Sequence, residues 1–173
     1  MFQKRAGGLS ASSGEYKNAG SIIIRVQYKD KAILFTGDTV GRHIGDTDNT
    51  CIAAEKFMVE GASVIKIDSD VLVAPHHGAD NASSKDFIQA VSPEYVIFSA
   101  GHKFHHPTAD AARRYLTSGV DKQKMFRTDR GDDEGGNEWD NERIPGNVDQ
   151  AGDDDVDVLI RADGSVVVEY KMP

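Results

Sequence analysis

Three short apolar runs, AILF at 32–35, DVLVAP at 70–75 and EYVIFSA at 94–100, constrain this chain more than any other feature. Each is long enough for a strand and too short for a packed helix. Helical patterns lie between and after them. Residues 50–60 set Ala53 with Phe57 and Ala54 with Met58 at i, i+4, with Gly61 at the stop position. Ser83 or Ser84 can cap a helix carrying Phe87, Ile88 and Val91, and Thr108 can cap another that runs through Tyr115 and Leu116 to Gly119, with Asp110 near its positive end. KMFRT, 124–128, follows as a further strand. Strands alternating with helices predict an α/β layout, a mixed sheet with flanking helices. VLVAP, apolar at both parities, predicts a strand buried on both faces.

Hairpins flank this middle. In SIIIRVQY the residues Ile22, Ile24, Val26 and Tyr28 alternate with Ile23, Arg25 and Gln27, the period of a strand with one well-buried face, and the KDK turn returns the chain into AILF. Near the end, DVDVLIRADGSVVVEYK reads as two strands about Asp163-Gly164. Residues 1–17 read as a flexible amino-terminal segment, and 18–173 as one folded unit with an acidic loop inserted at about 130–155. No internal repeat is present.

Charge matters here by its position. Between Asp129 and Asp157 lie 12 of the chain's 28 acidic residues and two of its 20 lysines and arginines, Arg130 and Arg143, in a glycine-rich stretch that reads as a solvated loop. Its spacing does not match a calcium-binding EF-hand. The rest is close to neutral, with 16 acids against 18 basic residues, so the net charge of −8 says little against an anionic substrate. No stretch approaches the roughly 20 apolar residues of a membrane span, so no membrane contact is expected of this chain itself. The start lacks an apolar signal core. A single cysteine, Cys51, excludes an internal disulfide. These features predict a cytoplasmic location, or an extracytoplasmic one should the chain be a piece of a longer membrane-anchored protein.

Ligands of open α/β sheets bind beyond the carboxyl ends of the strands. Past AILF comes Asp38; past VLVA come His76 and His77; past EYVIFSA come His102, His105 and His106. Five of the six histidines, all but His43, thus fall just after a strand end. A carboxylate and imidazoles on one edge are the donors expected for zinc, manganese or a related ion when no thiolates are offered. Taken singly, each has a plainer reading: Asp38 as a turn cap, the histidine pair as ordinary loop residues, His43 and His102 likewise. The joint pattern favours the metal reading.

The ordered elements TGD (36–38), PHHG (75–78) and HPT (106–108), within NAGSIIIRVQYKDKAILFTGDT, DSDVLVAPHHGADNASS and GHKFHHPTADAARRYL, resemble the metallo-β-lactamase superfamily. The resembling branch is the competence type, soluble hydrolase domains attached to DNA-uptake channel proteins and their free-standing relatives; the likeness runs from about Asn18 to Arg130. It implies a four-layer αββα sandwich of which this chain is the carboxy-terminal half. It implies Asp38 as a carboxylate that ligates or bridges metals, His106 as the late histidine ligand, and His76 or His77 facing the metal-bound water or the substrate. His76 is thus a candidate ligand, and His76 and His77 are both candidate catalytic residues. One or two zinc or manganese ions are the implied cofactors. His105 stands where the family has a small residue and receives no role, and Thr108 suits capping better than ligation. Asn18 and Ser21 occupy the strand entry where other branches have a metal-binding histidine.

The superfamily's HxHxDH cluster is absent from the 173 residues. The expectation is therefore part of a metal-dependent hydrolase that acts on a phosphodiester or nucleic-acid-like substrate, weak or inactive as an isolated chain. Its partners would be an amino-terminal half in the same or a separate chain, and nucleic acid as substrate. The alternative is a non-catalytic binding or assembly module that pairs with such a half or forms a homo-oligomer. A third reading, an unrelated phosphohydrolase with a histidine nucleophile, lacks a phosphate-cradling glycine loop.

Overall fold

A computed structural model describes residues 13–101, 104–129, 139 and 155–171. Its main sheet has the order β1-β2-β3-β4-β5. β1 (Ile24–Tyr28) and β2 (Lys31–Phe35) form the expected antiparallel hairpin, with Ile24 opposite Phe35 and Val26 opposite Ile33. β3 (Val71–Val73), β4 (Tyr95–Phe98) and β5 (Met125–Arg127) then add in parallel. Parallel neighbours need crossovers, and α2 (Ala53–Gly61), α3 (Lys85–Val91) and α4 (Ala109–Thr117) supply them.

The three crossovers share one face, as crossovers of one hand must. Paired register sets Leu34, Leu72, Val96 and Met125 in a row across four strands, and that row packs with Phe98 against Met58 of α2, Phe87, Ile88 and Val91 of α3, and Ala112 and Tyr115 of α4. Each Val, Leu, Ile, Phe or Met among them contributes about 1.5–3 kcal/mol on full burial. Capping follows the sequence: Ser84 Oγ accepts from Phe87 N–H at 3.3 Å, and Thr108 Oγ1 from Ala111 N–H at 3.2 Å. Ser83, the other candidate cap, instead adopts a positive φ of 60° and donates its N–H to Glu55.

The opposite face carries the carboxy-terminal hairpin, β6 (Val156–Ile160) and β7 (Val166–Tyr170), which turns at Gly164 as expected. Val168 packs there on Val71, Ile97 and Phe126, with Ile33, Tyr95, Val156 and Tyr170 around them. β3 is buried on both faces, Val71 and Leu72 being fully enclosed. The layers observed are helices, a mixed sheet and a hairpin.

One expectation is corrected. β1 does not have a well-buried face: Ile24 is 52%, Val26 50% and Tyr28 48% exposed, and Ile22 before them 80%. These side chains share the hairpin's side of the sheet, but β6 and β7 cover β3 to β5 and leave the β1 edge bare. Ile23, of the other parity, packs on the helical core. Where the chain passes from the amino-terminal segment into the folded unit, Ser13–Asn18 forms a short helix, α1. Residues 1–12, His102 and the acidic loop at 130–155, save Trp139 and Asp155, lie outside the described residues.

Candidate functional site

The chain turns sharply at the end of β3. Pro75–Gly78 is a kinked turn in which His76, His77 and Gly78 all have positive, left-handed φ, 49°, 58° and 82°. Such backbone is costly for residues with a Cβ and gathers at functional sites. Gly78 is required in addition by close approach, because a Cβ there would lie 2.6 Å from Pro107 and 2.7 Å from the Phe98 ring. The turn is tied to its neighbours: His76 N–H donates to Gly37 C=O at 2.9 Å, and Thr108 N–H to Gly78 C=O at 3.0 Å. The TGD, PHHG and HPT elements thus meet at one edge, beyond the carboxyl ends of β2, β3 and β4.

At that edge His77 Nε2 lies 3.1 Å from Asp38 Oδ1, and both side chains are partly open to solvent. Its other nitrogen, Nδ1, meets the Ser99 carbonyl oxygen. A carbonyl and a carboxylate only accept, so this arrangement is met by a ring that donates from both nitrogens, or by one whose Nε2 proton is replaced by a cation. The His76 ring lies 6.2 Å from that of His77 and 6.1 Å from that of His106. His77, His106 and Phe104 line a cleft of about 260 Å³ with Ser99, Ala100 and Gly101. Burial above all holds His106 below the ordinary histidine value, and its Nδ1 is buried without a partner among the described residues. A neutral imidazole with an unused nitrogen is the form in which histidine serves as a ligand.

Asn18 and Ser21, singled out at the strand entry, both reach this edge. Asn18 Nδ2 stands 3.2 Å from His76 Nε2, and Ser21 Oγ accepts the Asp38 backbone N–H at 3.1 Å. His105 is exposed, and His43 sits in a turn closed by its own N–H on Asp46.

What sequence reasoning passed over lies behind the histidines, in loop 79–84. Asp80 accepts from Arg42 at 2.8 Å and Arg114 at 2.7 Å, and Arg114 also donates to the carbonyls of Asp80, Ala82 and Ser83. Glu55, fully enclosed, accepts the N–H groups of Ser83 and Ser84 at 2.6 and 2.9 Å. Gly41 passes so close that a Cβ would lie 1.8 Å from the Glu55 carboxyl carbon. Desolvation pushes the Glu55 pKa up, and bonds from Ser84 and Ser83 pull against it. Helical spacing held the signal. Arg114 is three residues from Ala111 and Glu55 three from Met58, so each shares its helix's buried face.

Among the described residues no three of the His, Cys, Asp and Glu side chains stand close enough to hold a metal ion, and no helix is long and apolar enough to cross a membrane. No family model matches the chain, and no solved structure matches it significantly. It is 35% identical over 114 residues, 65% of its length, to the competence protein ComA of Neisseria gonorrhoeae. That stretch is 14% of the Neisseria protein, so the similarity relates this chain to a small part of a competence protein.

Proposed function

We propose that this chain supplies one side of the centre of a metal-dependent hydrolase of metallo-β-lactamase type, the carboxy-terminal half of an αββα sandwich, acting on a phosphodiester such as nucleic acid. The observation that carries this reading is the convergence of Asp38, His76, His77 and His106 past the carboxyl ends of three adjacent strands, with Asp38 Oδ1 3.1 Å from His77 Nε2. The donors fit zinc or manganese in kind but not in number: a catalytic zinc takes three protein ligands, and no three close here. Asp38 and His106, with its unused nitrogen, would contribute to the ion, His76 would join them on release from Asn18, and the remaining ligands would come from an amino-terminal half. Such an ion supplies an activated water and a Lewis acid.

The chain's own residues divide the remaining work. His77, held between two acceptors, is placed to give a proton to a leaving oxygen. Asp38 keeps that ring oriented, and the cleft beside His106 and Phe104 receives the substrate. Joined to an amino-terminal half with an HxHxDH cluster, the chain is expected to hydrolyse a model phosphodiester with manganese or zinc. Asp38→Ala and His106→Ala should each lose roughly 100-fold or more, the scale of removing one pre-organised group. Undiminished activity in both variants would reject the reading.

The bare side of β1 favours a second reading, an assembly module without catalysis, since a contiguous exposed apolar surface marks an interface. Ile24, Val26, Tyr28 and Phe35 form it, at 41–52% exposure. Light scattering and elemental analysis separate the two. A monomer with stoichiometric, tightly held metal would count against the module; a metal-free oligomer would favour it.

A further inference from the structure

His76 and His77 are neighbours in the chain, yet their rings meet opposite hydrogen-bonding demands. His77 faces two acceptors. His76 faces one amide on each side: its Nδ1 lies 2.8 Å from Asn81 Oδ1, and its Nε2 lies 3.2 Å from Asn18 Nδ2. An amide nitrogen only donates, so His76 Nε2 must carry the lone pair; Nδ1 must then carry the proton, which Asn81 Oδ1 accepts. An imidazolium would set an N–H against the Asn18 amide, and the other neutral tautomer would set lone pair against lone pair at Asn81.

We infer that Asn81 is a positioning residue: it fixes His76 as the Nδ1–H tautomer and so turns the Nε2 lone pair outward, where Asn18 covers it until a ligand takes its place. Orienting acceptors of this kind behind a histidine nitrogen are what make the other nitrogen a directed donor to a ligand. Asn81 is itself held firmly. Its backbone carbonyl accepts from Gly41 N–H at 3.0 Å and Arg42 N–H at 3.1 Å, and loop 79–84 around it is gripped by Arg114 and Glu55. Those anchors use the loop backbone and Asp80, so the Asn81 side chain can be exchanged without removing them.

The inference deepens the hydrolase reading of the same edge, but its test needs neither metal nor activity. Long-range proton–nitrogen correlation on the ¹⁵N-labelled, metal-free chain at about pH 8 should show His76 Nδ1 protonated and Nε2 at the shift of a lone-pair nitrogen. Asn81→Leu should lower the ratio of the Nδ1–H to the Nε2–H form roughly tenfold, the weight of one net hydrogen bond. Asn81→Asp, which keeps an acceptor, should restore it. A wild-type ring protonated on Nε2 would overturn the proposal, and so would an unchanged ratio in Asn81→Leu. The wild-type measurement decides even if a variant fails to fold. Full activity of Asp38→Ala and His106→Ala would sink the hydrolase reading while leaving this result standing, and an unchanged His76 tautomer would do the reverse.

Discussion

The two faces of the main sheet are unequal. On the helical face Leu34, Leu72, Val96, Phe98 and Met125 are all at most 2% exposed. On the other, the β6–β7 hairpin covers β3 to β5, and the apolar row stops being covered at Phe35, Ile24, Val26 and Tyr28. Both faces carry the same kind of residue at the same period. Pattern therefore records what a surface is built to meet, and only the fold shows whether something meets it.

The largest loss is expected for Phe98→Ala, on the covered helical face. Phe98 is enclosed between Tyr115, Trp139 and Gly78, and its loss should cost about 3–5 kcal/mol in urea unfolding. Arg114→Met should cost about 2–3 kcal/mol by the same measurement, since it strips donors from Asp80, Ala82 and Ser83 behind the histidine turn.

Glu55 gives a pH signature. Its folded pKa is raised above the ordinary 4.5, chiefly by burial, so the folded state binds more protons and stability falls as pH rises from about 4.5 through the folded value. Glu55→Gln should flatten that slope in thermal unfolding followed across pH. The smallest effect belongs to the bare face: Ile24→Thr or Val26→Thr should change stability by no more than about 0.5 kcal/mol. A larger, concentration-dependent loss would mean that copies of the chain already cover it.

Much of this was legible in the residues. Alternating strands and helices, both hairpins and the Thr108 cap follow from period and turn chemistry, and the histidine edge follows from where strands deliver their ends. The bareness of β1 was not legible, because Ile24, Val26 and Tyr28 alternate identically whether their cover belongs to this chain or not. Nor was the anchoring of loop 79–84, since Glu55 and Arg114 are residue types that solvent usually claims, and burial among donors and carbonyls depends on three segments meeting. His76 and His77 were indistinguishable in sequence; their amide and carbonyl partners, Asn18, Asn81 and Ser99, separate them.

Under the proposed hydrolase reading, the edge holding Asp38, His77 and His106 is where this chain meets a divalent cation. Paramagnetic broadening of backbone amide signals by substoichiometric manganese reads this even at weak affinity. Selective loss of signals from residues 36–39, 75–78 and 104–108 is expected, and it should be abolished in Asp38→Ala. Broadening confined to the acidic stretch at 129–157, with the strand edge untouched, would contradict it.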